Sequence, residues 1–442
     1  MSSLNLPWSE LLRKELASLT AGRAFWVLLL VQSLLTGLTY AQAVSLYSEA
    51  SRTALAAPEL AAGFSPLEGV LVPGFGSLYL GLTLLFPFVA IRQVARERGD
   101  GTLILLLQTR VPLAAWLAAK LFALGLAGAM VLAIPVSSLI FWGAAGGHLN
   151  AGEVATLVLG YALYAFLIAG FCYLAASLMD SAASAAILTL SVTLGAWALD
   201  FAAAGDRGWL HTLGGLSVTA VLRRFESGFV SLADITGLLA AGIAAMAAAG
   251  LWLQLLSRRN RLICATVIAA LALGAGLLAG WASLNWDATE NRRHSFAPAD
   301  ARALAGIAAP LRVTVYLTPD DPRLVDLERN VLDKLDRVMP RLTVRFAGAR
   351  GIFAAAGEDR YGLIEFDLDT PQGRRHAETR STSPREILPL IYGLAGITPS
   401  AGNDPPPYPG YPLVADARAA SFWFFLGLPA LIFLGWRQWG RT

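Results

Sequence analysis

Residue types that commonly perform catalysis or bind metals are few in this chain and lie far apart. The histidines, His148, His211, His294 and His376, are too widely spaced for a local metal cluster. The sequence contains no H-E-x-x-H, G-x-x-x-x-G-K-[ST] or G-x-S-x-G motif, so it predicts no zinc protease, P-loop or nucleophile elbow. We therefore expect a protein that is not catalytic by itself and binds no metal or cofactor. A site assembled from distant residues is the alternative.

The most informative stretch is residues 92–112, which lies between two long apolar runs. It opens with charged residues that include Arg96, Glu97 and Arg98, breaks at Gly99, and continues as a short apolar run that ends before Pro112. This order predicts a helix that lies along the membrane surface rather than across it. The alternative is a charged loop that only anchors the flanking helices.

Polar residues inside the apolar runs form a second set of candidates. Gln32, Thr36 and Thr39 follow one another at spacings of four and three, which places them near one helix face, and Thr189 and Thr193 have the same spacing in a later run. Buried polar groups in a membrane helix either line a path or bond neighbouring helices. We expect these five residues to line a substrate path or dimer interface, with simple interhelical hydrogen bonding as the alternative.

Composition identifies the environment of these residues. Of 442 residues, 56% are hydrophobic and 15% are charged, and the mean hydropathy is +0.56, which indicates a membrane protein. The net charge is only +3, and the basic residues are scattered, so nucleic-acid binding is not expected. Cys172 and Cys264 lie inside apolar runs, which indicates no structural disulfide.

Apolar runs of membrane-spanning length predict a helical protein with about eight transmembrane helices. They cover approximately 24–47, 71–91, 117–142, 154–178, 182–203, 236–256, 262–284 and 420–436. Residues 1–23 place Trp8, Leu11, Leu12, Leu16 and Leu19 at helical spacing with the charges on the other face, which predicts an amphipathic helix on the membrane surface. An ordinary charged flank is the alternative.

Basic residues set the orientation, because cytoplasmic loops are enriched in Lys and Arg. With the N-terminus inside, the cytoplasmic loops contain Arg13, Lys14, Arg23, Arg92, Arg96, Arg98, Arg110, Arg258, Arg259, Arg261, Arg437 and Arg441. The opposite short loops contain only Arg52, Arg207, Arg223 and Arg224. We therefore expect a multi-pass protein of the bacterial inner membrane, with both termini cytoplasmic and residues 287–418 periplasmic.

Residues 287–418 predict a small α/β domain between the last two spans. Leu311–Leu317 and Leu342–Phe346 resemble strands, and the helix between them should begin at Pro322, so the two strands should pair in parallel. Tyr361–Leu368 predicts a third strand, and Ser383 should cap a helix that reaches about Leu394. The proline-rich residues 404–412 predict a stiff linker into the last span.

The segment after the second span resembles the coupling segment of the ABC-2 class of ABC transporter permeases, which has the form E-x-x-x-G-T-L-x-x-L-L. The matching positions are Glu97, Gly101, Thr102, Leu103, Leu106 and Leu107, with Pro112 and Lys120 downstream. The resemblance implies that a coupling helix within 92–116 docks on a separate ATPase subunit. The residues expected to act there are Arg96, Glu97, Arg98, Gly101, Thr102, Leu106 and Pro112.

Further matches extend the resemblance over most of the chain. Residues 216–228 resemble the outer segment of the branch associated with gliding motility and with nitrous oxide reductase maturation, and the leader resembles its elbow helix. Residues 287–296 are similar to the opening of a gliding-motility auxiliary subunit, and residues 309–317 and 408–413 agree with it. The implied domains are the elbow helix (1–23), a six-helix permease (24–256), a tether and seventh span (257–286), a shortened auxiliary domain (287–418) and an eighth span (419–442).

Together these features predict the membrane subunit of an ATP-driven exporter or extractor, or of a machine that transmits force to a periplasmic partner. The implied partners are two copies of a cytoplasmic ATPase, which carry ATP and Mg²⁺, a second copy of this chain, and a periplasmic protein, lipid or polymer. The periplasmic domain would act as a handle for that partner or as a structural cap. The alternative function is a membrane-anchored binding or assembly module without transport, and an intramembrane enzyme is a third.

Overall fold

A computed structural model describes residues 8–99, 112–203, 214–215, 217–254, 257–282, 284–318, 321–339, 341–347, 360–371, 373–398 and 408–439. The predicted coupling residues Gly101, Thr102 and Leu106 lie outside these residues. The chain forms two compact units. The first comprises Met1–Phe201, Leu213–Trp286 and Pro409–Thr442, and the second comprises Asp287–Tyr408 with the short stretch Ala202–Thr212.

The first unit is a bundle of long apolar helices. Among the described residues, eight helices are long and apolar enough to cross a membrane, which confirms the predicted number and a membrane-embedded, multi-pass protein. They are α2 (Arg23–Ala56), α3 (Leu67–Glu97), α4 (Ala114–Ala144), α5 (Ala151–Leu178), α6 (Ala182–Ala203), α8 (Leu232–Leu253), α9 (Arg258–Trp281) and α13 (Arg418–Trp439). The unit also contains two shorter helices, α1 (Trp8–Thr20) and α7 (Val218–Glu226), and a short two-stranded sheet formed by β1 (Phe229–Ser231) and β2 (Asn285–Asp287).

Local sequence explains several helix ends. The side chain of Asn150 accepts hydrogen bonds from the backbone of Gly152 and Glu153 at the start of α5, and Ser231 and Ser257 cap α8 and α9 in the same way. These side chains satisfy backbone donors that the first helical turn leaves unpaired.

Close helix contacts depend on small residues. A β-carbon at Gly170 of α5 would lie 2.7 Å from the carbonyl oxygen of Gly242 in α8, which is too close for any side chain. The last helix, α13, packs against the first spanning helix, α2. There the Ser33 hydroxyl donates to the Phe424 carbonyl at 2.7 Å, and a β-carbon at Gly37 would meet Phe424. Small residues thus allow the backbones to approach, as is typical of membrane helices.

Residues 409–417, which begin within the predicted linker (404–412), run along the end of α2. The Tyr47 hydroxyl donates to the Tyr411 carbonyl at 2.7 Å, and the Ser51 hydroxyl accepts from the Leu413 amide at 3.0 Å. The Ser48 hydroxyl contacts both the amide and the carbonyl of Ala415, each at 3.0 Å. This part of the proline-rich stretch is therefore held against the bundle by side chains.

The second unit is built on a four-stranded sheet. Strands β3 (Leu311–Val315) and β4 (Leu342–Phe346) pair in parallel, which confirms the predicted pairing. Strand β5 (Ile364–Thr370) pairs antiparallel with β3. Strand β6 (Gly373–Thr379), which was not predicted from the sequence, forms a hairpin with β5. The order across the sheet is therefore β4-β3-β5-β6.

Three helices cover this sheet: α10 (Pro298–Ala305), α11 (residues 322–338) and α12 (Pro384–Ala395). The apolar positions Leu324, Leu327, Val331 and Leu335 form one stripe along α11 and are buried in the core. Ser383 occupies the position before α12, but its side chain makes no capping hydrogen bond, contrary to the sequence prediction. Instead, the Ser383 carbonyl accepts from the Glu386 and Ile387 amides at 3.1 Å.

Candidate functional site

The leader helix α1 carries a buried charge. Its inner face consists of Leu11, Glu15 and Leu19, and the Glu15 side chain is only 1% exposed. The prediction of an amphipathic helix is correct, but the prediction that all charges take the outer face is wrong for Glu15. A carboxylate replaces an apolar residue in the buried stripe because a cation lies opposite it.

That cation is Lys120, near the start of α4, whose side chain is also 1% exposed. Its ammonium lies 2.8 Å from Glu15 Oε2, 3.1 Å from Glu97 Oε2 and 3.1 Å from the Gln93 carbonyl. Three acceptors match the three donors of an ammonium group. The Trp116 ring, 4.9 Å from the ammonium, adds a cation–π contact. A buried lysine is thus fully paired.

Glu97, at the end of α3, is the second carboxylate of this network. Its Oε1 accepts from Lys14 of α1 at 2.6 Å, and its Oε2 accepts from the Trp116 indole at 3.2 Å. Lys14 also lies 3.7 Å from Glu15 Oε1. Two lysines and two glutamates therefore balance in charge. We call Lys14, Glu15, Glu97 and Lys120 the end network.

Burial dominates the electrostatics of Glu15. It raises the pKa of the Glu15 carboxyl above its usual value, although Lys120 acts in the opposite direction by charge and hydrogen bonding. Glu15 Oε1 also has no hydrogen-bond partner in the described structure. Burial of the Glu15 carboxylate therefore carries an unfavourable desolvation free energy, as is common for buried ion pairs.

A hydrogen bond between Tyr173 and Gln93 connects the network to α5. The Tyr173 hydroxyl donates to Gln93 Oε1 at 2.7 Å, and both side chains are buried. Because the Gln93 carbonyl also accepts from Lys120, the network joins α1, α3, α4 and α5 at one end of the bundle.

The predicted coupling residues lie next to this network where the structure describes them. Glu97 is buried within it, whereas Arg96 and Pro112 are exposed. The side chain of Arg98 is not described, and Gly101, Thr102 and Leu106 lie outside the described residues. Glu97 bonds to Trp116 and Lys120 of α4, so the helices before and after residues 100–111 are tied together.

Sequence reasoning missed the pairing of Glu15 with Lys120. The rarity of lysine could have pointed to this pairing. Lysine occurs only three times in the sequence, and two of the three, Lys14 and Lys120, belong to this network. Periodicity alone assigned every charge of α1 to the solvent side.

Gln32 and Thr36, predicted near one face of α2, do lie together and form a neutral cluster with Ser77 of α3. The Gln32 amide donates to Thr36 Oγ1 at 3.0 Å and to Ser77 Oγ at 3.1 Å, and the two hydroxyls are 3.0 Å apart. A β-carbon at Gly81 would lie 2.0 Å from the Gln32 amide oxygen, so glycine makes room for the amide. In this conformation the cluster bonds α2 to α3 inside one chain.

The other three predicted residues bond mainly to their own helices. Thr39 donates to the Leu35 carbonyl at 3.1 Å. Thr189 donates to the Ala185 carbonyl at 3.0 Å, and Thr193 donates to the Thr189 carbonyl at 3.2 Å. Thr189 and Thr193 are buried and thus face other parts of the same chain. The structure does not join them to the Gln32 cluster.

At the opposite end of the bundle, α7 carries three charged residues that pair with spanning helices. Arg223 binds Asp200 of α6 at 2.5 Å, and Arg224 binds Asp234 of α8 at 2.6 Å. The Tyr161 hydroxyl of α5 donates to Glu226 at 2.6 Å. Burial raises the pKa of Glu226, against the effect of the Tyr161 hydrogen bond. Helix α7 is thus fixed to three spanning helices.

These arrangements bond the helices of the first unit to one another. Among the described residues, no group of three or more His, Cys, Asp or Glu side chains could hold a metal ion. No protein-family model matches the chain, and comparisons with curated proteins and with solved structures also give no match.

Proposed function

We propose that this chain is the membrane subunit of an ATP-driven transporter of the ABC-2 type, in which a coupling helix within residues 92–116 docks on a separate cytoplasmic ATPase. The observation that carries the proposal is the end network. Glu97, the first residue of the E-x-x-x-G-T-L-x-x-L-L match, binds Trp116 and Lys120 across the two ends of that segment.

Such a connection suits a segment that transmits force. A docking helix moves the spans only if its two ends are attached stiffly to them, and several charge-assisted contacts in a buried site provide that stiffness. Movement of the segment would pass through Glu97 to α4 and through Lys14 and Glu15 to α1. The leader helix would therefore move with the coupling segment.

This role also implies the partners, the orientation and the activity of the chain. The chain would bind no cofactor and would not be catalytic by itself, while ATP and Mg²⁺ would bind to two copies of the ATPase. It would act as a homodimer in the bacterial inner membrane, with both termini cytoplasmic and residues 287–418 periplasmic. It would export or extract a substrate, or transmit force to a periplasmic partner.

An affinity pull-down of the tagged chain from its native membrane tests the proposal, with identification of co-purified proteins and an ATPase assay on the eluate. We expect an ATP-binding subunit whose recovery is lost in Glu97→Arg. Glu378→Arg is the matched control, because it makes the same charge change at a side chain of the second unit that is 61% exposed.

The remaining outcomes of the pull-down separate the rival functions. If Glu97→Arg and the parent recover the same amount of ATPase, the coupling role is wrong. If only periplasmic proteins co-purify, the chain is a membrane-anchored binding module. A thermal unfolding measurement on Glu97→Arg shows whether a loss of binding follows from a loss of fold.

A further inference from the structure

The second unit contains a cavity that the proposed coupling role does not use. Its volume is about 990 Å³, at the upper end of the range of small-molecule sites. Residues 290–297 form one wall, α12 forms the facing wall, and Lys334 of α11 lies between them. All of these elements belong to the same compact unit.

The wall formed by residues 290–297 is held rigidly by one carboxylate. Asp287 accepts from the Thr289 amide at 3.1 Å and from its hydroxyl at 2.5 Å, from the His294 amide at 2.9 Å, and from the Ser295 hydroxyl at 2.7 Å. Arg292 has a φ of +50°, an unfavourable backbone conformation for a residue other than glycine. These bonds hold the turn in that conformation and present its outer residues to the cavity.

The floor of the cavity is apolar. Leu388, Pro389 and Tyr392 follow one another on one face of α12 and line the cavity together with Phe296. Leu388, Tyr392 and Phe296 are buried in the core of the unit. The Tyr392 hydroxyl is satisfied, because it donates to Asp300 at 2.6 Å, so the tyrosine contributes its ring surface.

Three cations line the cavity: Arg292, Lys334 and Arg385. Within the described part of the chain, none of the three forms an ion pair. The Lys334 ammonium lies 5.7 Å from the centre of the Phe296 ring and 3.5 Å from the Arg292 carbonyl. Two carboxylates, Glu290 and Asp300, also line the cavity. Asp300 is bonded to Tyr392, and Glu290 also has an interaction partner.

Lys334 is partly withdrawn from water. Burial is the main cause that lowers its pKa; Asp287 acts in the opposite direction, and the nearby Arg337, Arg293 and Arg329 lower the pKa further. A bound anion would restore a charge partner to this ammonium group.

We propose that this cavity binds an anionic amphiphile, whose carboxylate or phosphate headgroup lies among Arg292, Lys334 and Arg385 and whose apolar part lies on Phe296 and Leu388. The apolar floor excludes a purely polar anion as the best ligand, and the cations discriminate against a neutral lipid. The inference does not depend on ATP coupling, since it concerns only the second unit.

Photo-crosslinking of the full chain in phosphatidylcholine nanodiscs tests the proposal. The probes are a diazirine-bearing fatty acid and the matching fatty alcohol, with dodecyl phosphate and inorganic phosphate as competitors. We expect the acid to label peptides from residues 290–297 and 384–398 about tenfold more than the alcohol, as one lost charge-assisted contact predicts. Dodecyl phosphate should compete, and inorganic phosphate at the same concentration should not.

Equal labelling by acid and alcohol would overturn the proposal, as would labelling confined to the spanning helices. Equal competition by inorganic phosphate would show a site for free anions and also overturn it. Lys334→Gln combined with Arg385→Gln should reduce acid labelling about tenfold. Arg341→Gln is the control, because Arg341 is exposed and does not line the cavity. Competition on the parent chain tests the site even if the double variant misfolds.

Discussion

Two ion pairs in this molecule have the same length and very different surroundings. Lys120 lies 2.8 Å from Glu15 in the first unit, and Arg323 lies 2.8 Å from Asp321 in the second. The side chains of the first pair are each 1% exposed, whereas Arg323 is 48% exposed. The distance between charges therefore does not show how much a pair matters to the fold.

The two pairs differ in their importance to the fold because their cations differ in burial. Lys120 has lost its water and depends on two carboxylates and a carbonyl, so removal of the lysine leaves charges that water cannot reach. Arg323 remains hydrated and its attraction to Asp321 is screened by water and salt. The pKa values of the two carboxyl groups shift in opposite directions. Burial raises the pKa of Glu15, whereas the hydrogen bonds from Arg323 lower the pKa of Asp321.

Among the variants that test this comparison, Lys120→Met should have the largest effect on stability. It leaves Glu15 and Glu97 buried without their shared cation, which should lower the free energy of unfolding by about 3–5 kcal/mol. Thermal unfolding can be followed through labelling of Cys172, which is buried, in a Cys264→Ala background. Lys14→Met is the matched control, since Lys14 is 42% exposed and should cost less than about 1 kcal/mol. Equal destabilisation by the two variants would refute the contrast.

Glu15→Gln should have a smaller effect that depends on pH. Because the pKa of Glu15 is raised in the fold, its contribution to stability is fully present below its ordinary pKa of 4.5 and is lost as pH rises through the raised value. Glutamine does not ionise, so the variant should lose less stability than the parent as pH rises. Circular dichroism melts across this range measure the effect, with the exposed Glu10→Gln as control. A steeper loss in the variant would show that Lys120 outweighs burial.

Arg323→Gln should have the smallest effect. Arg323 is half exposed and hydrated, so its loss should lower the free energy of local unfolding by less than about 1 kcal/mol after screening by solvent. The side chain of Asp321 still accepts from the backbone at the start of α11. Hydrogen–deuterium exchange of peptides from β3 and α11 measures this change in the full chain. An effect as large as that of Lys120→Met would show that exposure does not explain the difference between the two pairs.

Features that follow from one element at a time were predictable from the sequence. The eight apolar helices depend on length and composition, and the β3-helix-β4 unit depends on alternation, a proline start and an apolar stripe. Strand β6 was missed because its residues, Gly373–Thr379, are mostly charged or polar and give no alternating apolar signal. It forms because β5 provides an edge with which it can pair.

Only part of the candidate site was predictable from the sequence, because many of its contacts join residues on different helices. The spacing of Gln32 and Thr36 places them on one face, but their partner Ser77 lies on another helix. Likewise, Glu97 belongs to a recognisable segment, whereas Glu15 and Lys120 are 105 positions apart in sequence and meet only after the helices pack. Long-range pairing of this kind leaves no local pattern.

The second spanning helix, α3, contains two π-helical turns, Leu67–Leu71 and Gly81–Leu85, separated by Val72–Leu80. Each π turn holds one residue more than an α-helical turn, so removal of that residue would rotate one side of the helix against the other by about 100°. The turn at Gly81–Leu85 lies between Ser77 and Glu97. The angular register between the neutral cluster and the end network is therefore set by a single extra residue.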